Sequence, residues 1–149
     1  MSKYKKVLMA LDFHADNAEI ITTAAETAKN EDAELSIIHV MQTIGVAYNE
    51  EAMTHWSNQL GSLEENMRQE SRRQMSEVAE RLDMAQENCY LREGSPAHEI
   101  HELVKEVGFD LIVVGTHGRS GLKLLLGSTA NSVLHGATCD VLAVRIYDE

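Results

Sequence analysis

Cysteine is scarce in this chain. Cys89 and Cys139 stand alone, without a CxxC or any partnering spacing, which excludes a disulfide framework and a cysteine-based zinc site and predicts two buried thiols. Long apolar runs are also missing: none approaches the roughly 20 residues that cross a bilayer, so no membrane insertion is expected. Basic residues are in deficit. Thirteen Lys and Arg against 24 Asp and Glu give a formal charge of −11, with no basic patch to offset it, so a nucleic-acid partner is not expected. Repeats, low-complexity tracts and linkers are lacking as well. The opening MSKYKKVLMALDF imitates a secretory leader, but its apolar run is short and reaches Asp12 without a small-residue cleavage site. It reads as a first strand, and the protein as cytoplasmic.

What is present suits a soluble α/β domain. The 149 residues, 44% apolar and 25% charged, are enough to bury a core without staples, and one domain over 1–149 is expected. Four runs are apolar almost throughout rather than alternating: Val7 to Leu11, Leu35 to Val40, Asp110 to Gly115 and Asp140 to Arg145. Continuous apolar runs belong to strands covered on both faces. A weaker strand runs from Asn88 to Gly94.

Helical spacing fills the intervals. Asp16 or Asn17 can cap a helix with Ile21, Ala24, Ala25 and Ala28 on its inner face. A longer helix occupies Asn49 to Gln86 after an irregular lead-in from Thr43. Ser71 and Gln74 interrupt its stripe of Leu60, Leu63, Met67, Met75, Val78 and Leu82, and Gly61 predicts a break or bend. Met53, Trp56, Leu60 and Leu63 are expected to pack over the sheet or at a subunit contact. Pro96 suits a first helical turn and Gly108 the C-cap of the helix that carries Ile100, Leu103, Val104 and Val107 inward. The last helix presents Ala130, Val133, Leu134 and Ala137. The pattern β-α-β-α-β-α-β-α-β predicts a parallel sheet, helices on both faces and right-handed crossovers. Ligands of such sheets bind beyond the C-terminal strand ends, here Asp12, Val40 and Gly115.

The stretch GTHGRSGLKLLLGST, from Gly115, leaves a strand and opens a helix. Glycines let backbone approach a ligand closely, and Ser128, Thr129 and the N–H groups of a helix N-terminus can donate to phosphate without net positive charge. It is neither a Walker loop, which needs Gly-Lys-Ser/Thr, nor GxGxxG after the first strand, where this chain has DFHADN. His39 reads as a hydrogen-bonded core or strand-end histidine. His98 and His101 are one helical turn apart but lack a third ligand of matching spacing, so no metal site is expected.

KKVLMALDFH, LSIIHV, EGSPAHEI, DLIVVGTHGRSG and LLLGSTANSVLHGATCDVLAVR together resemble the universal stress proteins, in their nucleotide-binding branch, over essentially the whole chain. The family signature is Gly, two residues, Gly, nine residues, then Gly and Ser or Thr. Gly115, Gly118, Gly127 and Ser128 match it, with eight residues rather than nine between Gly118 and Gly127. The resemblance implies a Rossmann-like three-layer sandwich with a five-stranded parallel sheet, in order 3-2-1-4-5. It implies an adenine nucleotide, ATP or AMP, with Mg²⁺ held through the phosphates. Asp12 would contact adenosine, the Val40 backbone the adenine edge, and Gly115 the ribose; Gly118, Gly127, Ser128 and Thr129 would hold the phosphates. It further implies a homodimer in which Val141 to Arg145 pairs antiparallel with its twin. No catalytic residue is expected, since no general base with a positioned partner is evident. Two other readings stand beside this one: a nucleotide-free dimeric interaction protein, favoured by the shorter spacing, and a slow ATPase.

Overall fold

The computed structural model of the chain describes residues 2–13, 17–42, 50–116 and 127–146, with the side chains of 50–60 excepted. Five strands form one parallel sheet. They are β1 (Lys6–Ala10), β2 (Glu34–Met41), β3 (Cys89–Glu93), β4 (Leu111–Gly115) and β5 (Asp140–Val144), in the order β3-β2-β1-β4-β5. This is the expected order, and each expected strand is present to within a residue or two at its ends.

The unbroken apolar runs are explained by two cores. On one face Val7, Met9, Ile37 and Val113 pack with Ile21 and Ala24 of α1 (Ala18–Glu31) and with Met75 and Val78 of α2 (Glu50–Arg81). On the other, Leu8, Ile38 and Ile112 pack with Ile100 and Leu103 of α3 (Pro96–Val107) and with Ala130 and Val133 of α4 (Ser128–Gly136). Successive strand residues point to opposite faces, so a strand sandwiched between helix layers is apolar at nearly every position, and a buried polar residue there needs a hydrogen-bond partner. Full burial of each such side chain stabilises by about 1.5–3 kcal/mol relative to exposure.

Several local expectations are corrected. Helix α2 runs unbroken through Gly61, where an added Cβ would meet nothing within 4 Å. The cost of glycine there, about 1 kcal/mol, is small beside a helix this long. Arg68 also reaches Glu64 and Glu65 on its own helix and Glu93 of β3, tying the helix to the sheet. Ser71 does not interrupt the inner stripe but belongs to it, buried with Met75 and Val78. Leu63 and Leu134 are exposed rather than inward, and both thiols are half-buried. Met53, Trp56 and Leu60 lie outside the described side chains, and the Thr43 to Asn49 lead-in outside the described residues.

Helix ends follow the sequence more closely. Pro96 starts α3, and Gly108 ends it in the left-handed region at φ 88°, donating its N–H to the Val104 carbonyl. A Cβ is disfavoured there by about 1–2 kcal/mol. Gly108→Ala is therefore expected to lower the unfolding free energy by about that amount in urea denaturation, with no change in the sheet. On the exposed face of α2, the Arg73 guanidinium, aided by the Gln74 amide, pushes the Glu70 carboxyl down to about 2. Because the folded value is lowered, any stabilisation from this pair is present above the ordinary carboxylate range and is lost as pH falls through about 2. An NMR titration should place the Glu70 midpoint near 2, and Arg73→Ala should return it toward 4.5.

Candidate functional site

Strand order reverses at β1, whose neighbours β2 and β4 are reached by connections on opposite faces of the sheet. Adjacent loops diverge at such a point and leave a crevice beyond the strand ends. A cleft of about 420 Å³ opens there, within the roughly 300–1,000 Å³ typical of small-molecule sites. Asp12, Val40, Gly115, Gly127, Ser128 and Thr129 all line it. These residues come from four separated parts of the chain. Gly118 lies outside the described residues.

Register explains how the β2 side of the cleft is made. The ladder between β1 and β2 ends at Ala10 opposite Ile38, so β2 runs on through His39, Val40 and Met41 beyond the end of its neighbour. The Leu11 N–H donates to the Ile38 carbonyl at 3.0 Å, which shows that the Ile38 peptide faces β1. Peptide direction repeats every second residue, so the N–H and C=O of Val40 face the same way, into the space past β1. A donor and an acceptor side by side on one edge can read a planar heterocycle.

His39, also on β2, holds the neighbouring exit of β1. It is buried, stacks on Phe13 with ring centroids 4.2 Å apart, and its Nδ1 lies 2.8 Å from the Leu11 carbonyl oxygen. A carbonyl only accepts, so Nδ1 carries the proton and donates. The bond holds the chain where it leaves β1 and turns toward Asp12. This is the strand-end histidine expected from the sequence. Asn17 then ties the same turn to α1. It stands at the N-cap, but instead of capping the helix its Nδ2 donates to the Asp12 carbonyl at 2.8 Å. Asp16, the other expected cap, lies outside the described residues.

Gly127 is the N-cap of α4, with φ −61° and ψ 159°, and no side chain caps the helix. The first intrahelical bond runs from the Asn131 N–H to the Gly127 carbonyl, so the N–H groups of Ser128, Thr129 and Ala130 are the donors a helix start leaves over. All three residues line the cleft. Among the described lining residues Asp12 is the only carboxylate, and no Lys or Arg is present. An anion here would be held by backbone dipoles at the start of α4, in a chain whose overall charge opposes it.

Gly115 has a packing reason to be glycine. An added Cβ would lie 2.5 Å from Ile146 Cδ1 and 2.9 Å from Ile20 Cδ1, and both isoleucines line the cleft. Ile20, Ile146 and Thr116 were not singled out by sequence reasoning, and Met67 was read only as part of a helical stripe. Ile20 carries helical periodicity that could have flagged it, whereas Ile146 and Thr116 lie in irregular chain with no periodic signal. His98 is exposed and His101 packs on Gly136, a Cβ on which would lie 2.7 Å from its Nε2. Among the described residues no group of three or more His, Cys, Asp or Glu could hold a metal ion, and no helix is long and apolar enough to cross a membrane.

Known proteins match this chain along nearly its whole length. Residues 3–145 match the Universal stress protein family. Universal stress protein A homolog 2 of Coxiella burnetii is 40% identical over 151 aligned positions, which cover 98% of each chain. Among solved structures, the protein MJ0577 superposes with a TM-score of 0.80 at 24% identity, covering 98% of this chain and 99% of its own. A universal stress protein in complex with cAMP superposes with a TM-score of 0.61 at 23% identity, covering 97% and 98%. At those identities the structural likenesses establish the shared fold.

Proposed function

Because the chain belongs to the universal stress protein family, we propose that its cleft binds an adenine nucleotide, ATP or AMP, and that the protein works as a binding module rather than as an enzyme. The observation that carries this reading is convergence. The Val40 peptide, Asp12, Gly115 and the uncapped start of α4 meet around one cavity of nucleotide-compatible size. The cAMP complex of a protein with the same fold supports an adenine ligand.

In this reading the base lies against the Val40 edge, the ribose between Asp12 and Gly115, and the phosphates at Gly127, Ser128 and Thr129. Gly118 and the basic residues Arg119 and Lys123 belong to the same stretch of sequence. Mg²⁺ favours phosphate oxygens with one or two carboxylates, and it would accompany the phosphates here. Backbone donors hold phosphate without activating water, and no described residue pairs a general base with a partner at the start of α4. Among the described residues the edge strand β5 pairs with β4 alone. Its outer side, Val141 to Arg145, suits antiparallel pairing with a second copy, since unpaired strand edges are usually covered.

Gly127→Val and Ser128→Ala test the site. At φ −61° position 127 accepts any residue, so valine leaves the backbone intact while adding bulk at the cleft. The expected result is loss of ATP affinity by tenfold or more for Gly127→Val, roughly 1.4 kcal/mol, with an unchanged circular dichroism spectrum. Wild-type affinity in both variants would remove Gly127 and Ser128 from the site, whereas no ATP binding by folded wild-type protein would favour the nucleotide-free interaction protein instead.

A further inference from the structure

The end of the edge strand is built into the cleft through one residue. Thr116 bonds to the end of β5, to the start of α4 and to a residue just beyond β5: its N–H donates to the Val144 carbonyl at 2.9 Å, its carbonyl accepts from the Gly127 N–H at 2.6 Å, and its Oγ1 accepts from the Ile146 N–H at 3.2 Å. Val144 closes β5, Gly127 caps α4, and the Ile146 side chain fills the place a Cβ would take on Gly115. Backbone alone could make the first two bonds. The third needs a side-chain acceptor, and it ties down the chain just after β5.

We propose that Thr116 is a positioning residue that sets Ile146 as the cleft wall over Gly115, so that occupancy of the cleft is felt at the exit of β5. A ligand lying over Gly115 meets Ile146, whose Cδ1 comes nearer than that of Ile20 to the place a Cβ would take on that glycine. Movement of Ile146 loads the Thr116 hydroxyl bond, and through the Thr116 N–H it loads Val144, the last residue of the edge strand. Linkage makes this reciprocal: whatever orders the β5 exit also favours the filled cleft. The inference rests on the nucleotide reading of the cleft for its ligand, but the clasp itself is a property of the chain alone.

Thr116→Val removes the hydroxyl and keeps the shape and both backbone bonds, whereas Thr116→Ser keeps the hydroxyl. In ligand-free protein, the Ile146 amide should exchange with solvent several-fold faster in Thr116→Val than in wild type or Thr116→Ser. Thr116→Ala serves the same purpose if the valine variant does not fold. Adenosine and ATP should both bind Thr116→Val roughly three- to tenfold more weakly, the range of one ordinary hydrogen bond. In a double-mutant cycle with Ile146→Ala the two losses should be non-additive. Wild-type exchange at Ile146 in Thr116→Val, or additive losses in the cycle, would overturn the proposal. If wild-type protein binds neither adenosine nor ATP, the nucleotide reading falls, and the exchange experiment still decides the clasp.

Discussion

Leu8→Ala is expected to lower the unfolding free energy by about 3–4 kcal/mol, a large share of the roughly 5–15 kcal/mol that holds a domain of this size together. Leu8 lies on β1, the middle strand of the sheet, and is fully buried. Its side chain packs in the core shared by α3 and α4, so truncation opens a cavity that the two helices can close only by moving away from the strand. The rigid sheet limits such relaxation, which keeps the cost clear of the lower end of the range of about 2–5 kcal/mol for such truncations. Equilibrium denaturation in urea should show a lower midpoint at an unchanged slope. Leu63→Ala, at an exposed position, should shift the midpoint by about 0.5 kcal/mol or less and provides the control.

Asp12→Ala is the second large effect, and it should fall on binding rather than on folding. The Asp12 side chain lines the cleft, while the bond from Asn17 goes to its backbone carbonyl. Alanine therefore keeps the Asn17 bond that ties the β1 exit to the start of α1. A hydrogen bond to an ionised group contributes about 1.5–3 kcal/mol, so the affinity for ATP and for adenosine should fall by roughly 10- to 150-fold. Because Asp12 is proposed to contact the nucleoside and not the phosphates, both ligands should lose the same factor. A loss confined to ATP would move Asp12 to the phosphate end of the cleft.

Much of this architecture could be read from the sequence, for a physical reason. A parallel strand covered on both faces must be apolar at consecutive positions, so VLMAL, LSIIHV and LIVVG announce themselves. Pro96 and Gly108 mark α3 through backbone geometry that few other residues share. The expected site residues Asp12, Val40, Gly115, Gly127, Ser128 and Thr129 meet at one cleft because each follows or opens an element at the same edge of the sheet.

What was misread depends on tertiary context. Gly61 costs helix propensity, but a long helix anchored by Met75, Val78 and the Arg68 ion pairs absorbs that cost. Ser71 looks like an interruption by polarity, yet a small hydroxyl side chain can lie under a helix. Leu134 follows the spacing of an inner face and is still exposed, since a nine-residue helix covers the sheet with little more than Ala130 and Val133. Thr116 and Ile146 were invisible because a clasp made of backbone groups and one hydroxyl leaves no periodic pattern. The Gly127 N–H reaches the Thr116 carbonyl at 2.6 Å, which joins the exit of β4 to the start of α4.

The central claim, an adenine-nucleotide site at the strand ends, is tested most directly by isothermal titration calorimetry of ATP with Mg²⁺ into purified protein first stripped of nucleotide. The expected result is one saturable site per chain that is filled competitively by AMP and lost in Gly127→Val. No saturable heat with either nucleotide, from protein shown to be folded, would contradict it.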